Sequence, residues 1–347
     1  MKTTHRHGGF TILELMVAIT IGLIVLIGLV QIIVQNQAKY AVTTGQGETQ
    51  NAELTLQSVL GTALRGAGFF GCSSNTTANF VANINSMMNT GAYVQGYDGG
   101  ASATISTLNY ANDTTLTDWT PSLNSSFSGF AEKNSDVLVV VGARAGTSPV
   151  MLTSDAASGA GSLNLQSASQ VVSNGYLAVS NCQQSSIVQT ASATTASGNV
   201  TVQLSNGNLN QAYTTGGQAV PVAATAFFVG AASGTQSALY QAENTAGAWK
   251  VTPLIPGVNN MRIRYGIGTQ ANTTQYKTAA QMANTDWATV NSIQAAFLLE
   301  GNQGSTINQA NCTNKSWTLL GRTVTLPCDT RLRHVFNLTV SLRNAQQ

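Results

Sequence analysis

The chain has 347 residues, of which 43% are hydrophobic and only 8% charged, with 15 Lys and Arg against 13 Asp and Glu. That length gives room for one large or two modest domains, and a charge balance this close to neutral supplies no global drive toward nucleic acid. Charged residues fall far short of the usual quarter of a soluble chain, while Ser, Thr, Asn, Gln, Ala and Gly abound, as suits an exported β-rich protein with a polar, weakly charged surface.

The chain opens on a short polar leader, Met1–Gly9, that carries Lys2 and Arg6. A predominantly apolar run then extends from Phe10 to Val34 with Glu14 as its one charge, and the 20 residues from Leu15 to Val34 contain none. At the rise of an α-helix this run is roughly 30 Å long, enough to span a bilayer. It is too long for a secretory h-region, and no A-x-A cleavage site follows it. Lys2 and Arg6 precede the span and the next charge is Lys39, so the positive-inside rule leaves the leader in the cytoplasm. Glu14 is the physical anomaly: a carboxylate in a membrane helix costs about 2.5–3.5 kcal/mol at the centre and less near the interface, and such a group calls for a partner.

The order of basic leader, Gly9, Phe10, Thr11, Ile12, Leu13, Glu14 and apolar helix resembles the class III signal of type IV prepilins. The resemblance implies cleavage between Gly9 and Phe10 by prepilin peptidase and N-methylation of Phe10. It also implies pairing of Glu14 with the new amino terminus of a neighbouring subunit, which makes Glu14 the candidate assembly residue. A carboxylate resting at the headgroup level of a simple anchor is the plainer alternative. Loss of the leader removes Lys2 and Arg6, so 15 basic residues become 13 and match the 13 acids.

Leu56, Val59, Leu60, Ala63 and Leu64 recur at helical spacing and predict that the helix continues to about Arg65 with one apolar stripe. The polar stretch containing Gly45 and Gly47 reads as a weak point where it bends. Gly66, Gly68 and Gly71 then stop it. Their GAGFFG fits G-x-G-x-x-G, but a dinucleotide fingerprint needs a strand before it and a helix after it. Here a helix precedes, and a Ser- and Asn-rich loop follows Cys72.

From Asn75 to Ser135 the sequence reads as long loops with short strands, and Asp136–Val141 as a buried strand. Between Ala145 and Val220, clusters such as Tyr176–Val179 and Val200–Leu204 predict a β-rich subdomain of short strands. Farther on, Met261, Ile263 and Tyr265 alternate with Arg262 and Arg264. Ile293, Ala295, Phe297 and Leu299 alternate likewise, and Leu332, His334, Phe336, Leu338, Val340 and Leu342 form the longest such set. These predict three half-buried strands of an antiparallel sheet, covered on its apolar face by the second half of the helix.

Leu64, Arg65, Ala67, Gly68, Gly71 and Cys72 resemble the LR-x-AG-x-x-GC segment of the PilW family of minor pilins. The stretch Leu254–Gly266 resembles that family's segment ending in M-x-I-x-YG. Asp329, Arg331, Leu332, Arg333, Phe336, Leu342, Arg343 and Asn344 resemble its terminal D-x-RLR-x-x-F…LRN pattern. The expectation is therefore an α+β, pilin-like fold: a long N-terminal helix, transmembrane then amphipathic, packed on an antiparallel β-sheet, with an additional β-rich subdomain. Expected boundaries are a leader over 1–9, a helix over 10–66 with its membrane span at about 15–34, a β-rich head over 67–245, and a C-terminal sheet over 246–347.

The resemblance implies a non-catalytic subunit that joins other minor pilins to prime pilus assembly and form the tip. Its expected partners are those pilins, the pilus shaft, a large tip adhesin, prepilin peptidase and the membrane. It implies a single-pass inner-membrane chain whose head faces the periplasm and moves to the tip on assembly. The alternatives are a J-like pseudopilin of type II secretion, or a pilus-associated adhesin or DNA-contact subunit.

Cys72, Cys182, Cys312 and Cys328 form no C-x-x-C pair, so disulfides are favoured over zinc in an oxidising compartment. Of three connectivities, Cys72–Cys182 with Cys312–Cys328 is preferred. The second bridge closes a loop of about 15 residues, worth roughly 3 kcal/mol in the chain-entropy model. Only His334 remains once the leader is gone. The sequence offers no convergent acid, base and nucleophile, and Asp98, Asp113 and Asp118 lack the spacing of a calcium loop. No cofactor or metal is expected. His334 reads as a hydrogen-bonded core histidine. Arg262, Arg264, Arg331 and Arg333 are the one candidate basic contact for phosphate, a thin footprint, and nucleic acid is not an expected partner.

Overall fold

The computed structural model describes residues 11–72, 78–80, 92–101, 103–104, 111–127, 129–196, 199–206, 208–233, 236–269, 272–306 and 313–343. One helix, Ile12–Gly66, runs for 55 residues, about 80 Å at the usual rise. It begins in a capping box: the Thr11 hydroxyl accepts from Glu14 N, and the Glu14 carboxylate accepts from Thr11 N at 3.0 Å. The four residues TILE thus supply both halves of a helix start.

The helix is unbroken through Gly45 and Gly47, against the expected weak point. Gly45 is buried, and a Cβ there would lie 2.3 Å from the Cβ of Ser305. The glycine serves a close crossing by the segment Gly301–Ser305, not a bend. The buried stripe begins at Gly45 and runs through Thr49, Ala52, Leu56, Leu60 and Leu64. Val59 and Ala63 flank it, half-buried.

The C-terminal sheet has four antiparallel strands in the order Asn272–Lys277, Val258–Thr269, Val290–Glu300, Arg333–Ser341. One face, carrying Met261, Ile263, Tyr265, Ile293, Ala295, Phe297 and Leu299, shares a single core with the helix stripe. The expectation of half-buried strands fails for the two central ones. A hairpin, Asn314–Leu319 with Arg322–Pro327, places Leu319, Val324 and Leu326 against Ala296 and Leu298 on the other face. Both faces are therefore covered, and alternation gives way to continuous burial.

The larger sheet has eleven strands, and Gln218–Ser233, 16 residues long, is its spine. The first part of this strand pairs with Tyr176–Ser180 and Val150–Met151; its second part lies between Val137–Ala143 and Gln236–Asn244. The DVLVVV segment is the buried strand expected of it, exposed nowhere from Val137 to Val141. Around the first half of the spine a satellite core forms from Leu152, Leu163, Leu165, Leu177, Val179, Val188, Val202, Leu209 and Tyr213. The second half joins the main core through Phe227, Phe228 and Val229. The architecture is α+β: one long N-terminal helix and a predominantly antiparallel β region of several sheets.

Candidate assembly interface

Among the described residues nothing packs against the first half of the helix. Its large apolar side chains from Ile12 to Val34 are between 49% and 81% exposed, and this is the one helix among the described residues long and apolar enough to cross a membrane. More than twenty residues of uncovered apolar helix require a non-aqueous environment or other apolar helices. Glu14 sits at its start. In this chain its carboxylate is occupied by Thr11, whose N–H donates at 3.0 Å and whose hydroxyl lies at 3.1 Å. The cap both begins the helix and fixes the carboxylate against Thr11. Gly9 and Phe10, the expected cleavage junction and methylation site, lie outside the described residues.

The second half of the helix is clamped to the head. Glu48 accepts from Asn302 N at 3.0 Å and from the Asn302 side-chain amide. One turn on, Glu53 Oε1 lies 3.2 Å from His334 Nε2. His334 is 58% exposed, so it is not the core histidine expected. The helix-facing row has Val340 in the core and Phe336 and Leu338 half-buried against it, but at His334 the strand reaches its open end and the ring meets Glu53 in solvent.

At the far end, the GAGFFG glycines turn the chain from the helix onto the larger sheet. Gly68 N donates to Val141 O at 2.8 Å, and Gly68 and Gly71 take left-handed φ angles of 73° and 99°, which glycine adopts without penalty. The Tyr93 ring closes over Gly68 where a side chain would stand. The next residue after Gly71, Cys72, is bonded to Cys182 across 110 residues. Cys328 is also disulfide-bonded; Cys312, its expected partner, lies outside the described residues.

The candidate basic stripe is not an exposed surface. Arg262 is buried, 3.1 Å from Asp136 Oδ1, and donates to the carbonyls of Gly100 and Ala101. Asp136 also accepts from Gly99 N and Ile263 N. Burial pushes the Asp136 carboxyl above its ordinary range, against the pull of Arg262 and those two amides. Arg322 bridges Asp98 to this pair. Burial is the largest single influence on Asp98 and opposes its ionisation, but the hydrogen bonds from Arg322, Thr278 and Gly100 N together with the Arg322 charge hold its carboxyl below the usual value. Arg331 and Arg333, 8% and 2% exposed, both reach Glu300, and Asp329 closes the cluster. Arg264 is half-buried beside Gly321. A strand with a covered outer face turns its arginines into internal ties, and the acids that receive them (Asp136, Glu300) carry no local signal in sequence. Asp113 and Asp118 stand in an exposed turn, where Asp113 accepts from Thr115 N.

What the geometry offers is packing and docking surface. Among the described residues no group of three or more His, Cys, Asp or Glu is placed to hold a metal. Residues 226–344 match the family described as type IV pilus-assembly protein W, and residues 4–30 match the prokaryotic N-terminal methylation motif. No curated protein and no solved structure matches the chain. The two family matches bear out the resemblance read from the sequence and support a type IV pilus minor pilin, a structural class of subunit that works with other pilins and with prepilin peptidase.

Proposed function

We propose that this chain is a minor pilin that co-assembles with other minor pilins to prime type IV pilus assembly and stands at the pilus tip. The observation that supports it best is the division of one continuous helix. Thr11–Val34 is bare, apolar and headed by a carboxylate, while Gly45–Leu64 is locked into a large head. Such a helix holds the head in the periplasm above the inner membrane before assembly and inserts among other helices on assembly. The mechanism is non-covalent. Prepilin peptidase trims after Gly9, the new amine of Phe10 is methylated, and Glu14 exchanges its own Thr11 for the amine of a neighbour. The size of the head favours an end position over a repeating shaft position, because bulk at one end obstructs no successor, and the same position would let it present a large adhesin. The buried pairing of Arg262, Arg331 and Arg333 removes the support for a DNA-contact role.

Amino-terminal sequencing of the protein from the cell envelope tests the first step: the expected chain begins at N-methylated Phe10, and an intact Met1 would overturn the reading. Glu14→Ala tests the second. At equal expression its recovery in sheared pili should fall at least ten-fold, whereas incorporation at the level of the unmodified chain would remove Glu14 from assembly.

A further inference from the structure

The sheet edges of this molecule are not treated alike. An unpaired edge is a template for another strand, and proteins blunt such edges with Lys, Pro, bulges or brevity. The Trp249–Pro256 edge carries Lys250, Pro253, Pro256 and a register shift. The Asn272–Lys277 edge ends on Lys277 and has a shift at Ile267/Gly268. Asn314–Leu319 contains Lys315, and the remaining edge strands have four residues or fewer.

The last strand, Arg333–Ser341, has none of these devices. It pairs with Val290–Glu300 over its whole nine-residue length without a register shift, and among the described residues no strand pairs with its other edge. From His334 to Ser341 it contains no Lys, Pro or Gly. Phe336 and Leu338 are left half-buried in one row, and Asn337, Thr339 and Ser341 are exposed in the other.

We propose that this edge is completed in the assembly by an extended segment of a second, non-identical pilin-type subunit, added as a strand alongside His334–Ser341. The inference rests on the pilin reading above and names where the partner docks. The chemistry of the row specifies the segment: seven to nine residues in length, apolar at alternate positions to cover Phe336 and Leu338, small and polar at the others beside Asn337, Thr339 and Ser341. The location fits, because this strand lies against the clamped part of the helix, where Glu53 meets His334. Two copies of the same strand paired antiparallel would close on a two-fold axis and leave no edge to pass on, which suits a dimer and not a subunit that sets order in a filament.

Amide hydrogen exchange read by mass spectrometry tests this on the full-length chain, alone in detergent and in the assembly purified from membranes of the native host through a tag on this chain. Peptides spanning 334–341 should exchange at least ten-fold more slowly in the assembly. Equal rates would overturn the proposal, as would protection in the monomeric chain that extends beyond the alternate amides bonded to Val290–Glu300. Protection of the lone chain that rises with its concentration would assign the edge to a second copy and overturn it too. The variant Asn337→Lys with Thr339→Lys, both at exposed positions, should keep its melting temperature and the Cys72–Cys182 bond yet fall at least ten-fold in sheared pili. Recovery at the unmodified level would sink the edge while leaving the helix reading intact. Glu14→Ala in the same assay reports on that reading separately.

Discussion

Glu132 is a carboxyl whose ionisation the fold does little to welcome. It is buried beneath the larger sheet, and its carboxylate accepts one hydrogen bond, from Ser237 Oγ at 2.7 Å. Burial pushes its carboxyl up to about 7; the bond from Ser237 works against the rise and the charge of Glu300 adds to it. The folded protein therefore holds a proton that the unfolded chain has already released. The stability tied to that proton is complete below the ordinary carboxylate pKa and is lost as pH rises through about 7, a loss on the order of 3 kcal/mol. Glu132→Gln keeps the side-chain shape and an acceptor for Ser237 while removing the charge. The variant should melt several degrees above the unmodified protein at pH 8, and the difference should vanish near pH 4.5. Thermal unfolding of the full chain in detergent at both pH values decides it. A difference independent of pH would mean that Glu132 is ionised at no cost. At this scale the sequence is a partial guide. Cys72–Cys182 is the bridge expected, whereas the capping box of Thr11 and Glu14 emerges with the structure. The arginines of the M-R-I-R-Y strand look like a solvated face because nothing beside them announces Asp136, which is 126 residues away in the chain.

Elements were legible where one periodicity governs a long run. The apolar span, the stripe ending at Leu64, the DVLVVV strand and the three alternating C-terminal strands all follow from the spacing of side chains. Two things were not. A glycine's role depends on what crosses it, so Gly45 reads as a break, although the crossing of Gly301–Ser305 makes it a contact. The hairpin Asn314–Pro327 hides the outer face of the sheet, and alternation in a strand cannot show that a distant segment covers its polar side. The crossing at Gly45 makes a direct prediction. Alanine there gains up to about 1 kcal/mol of helix propensity. Its methyl, however, falls 2.3 Å from Ser305 Cβ, and overpacking of this kind costs about 1–3 kcal/mol. Gly45→Ala should therefore destabilise the head on balance, whereas the same change at Gly47, which meets nothing within 4 Å, should stabilise it slightly. In a Ser305→Gly background the cost at Gly45 should shrink by at least half. Additive effects of the two substitutions, measured by thermal unfolding, would show that the helix and the segment do not touch.

On the scale of the whole molecule, the helix and the larger sheet are joined at one covalent point. The glycine turn at Gly68 and Gly71 ends at Cys72, and Cys182 lies between Tyr176–Ser180 and Ser185–Ala196, two strands of that sheet. Among the described residues the helix is also tied to the head by the core stripe, which meets Val137–Ala143 and Trp249–Pro256 of the larger sheet as well as the smaller sheet, and by the polar contacts of Glu48 with Asn302 and Glu53 with His334. Both polar contacts lie on the smaller sheet's side, so the bridge is the fastening that reaches the satellite region. A bridge spanning 110 residues restricts the unfolded chain strongly, by about 4–5 kcal/mol in the chain-entropy model. Cys72→Ser with Cys182→Ser should lower the melting temperature of the head by many degrees while leaving insertion of the apolar helix in the membrane unchanged. The two readouts separate the parts: urea unfolding followed by tryptophan fluorescence reports the head, and carbonate extraction of membranes reports the anchor. Unchanged head stability would mean that noncovalent packing alone fixes the sheet to the helix. Loss of membrane retention would mean that the anchor depends on the head, contrary to a helix whose first half is left exposed by the described residues.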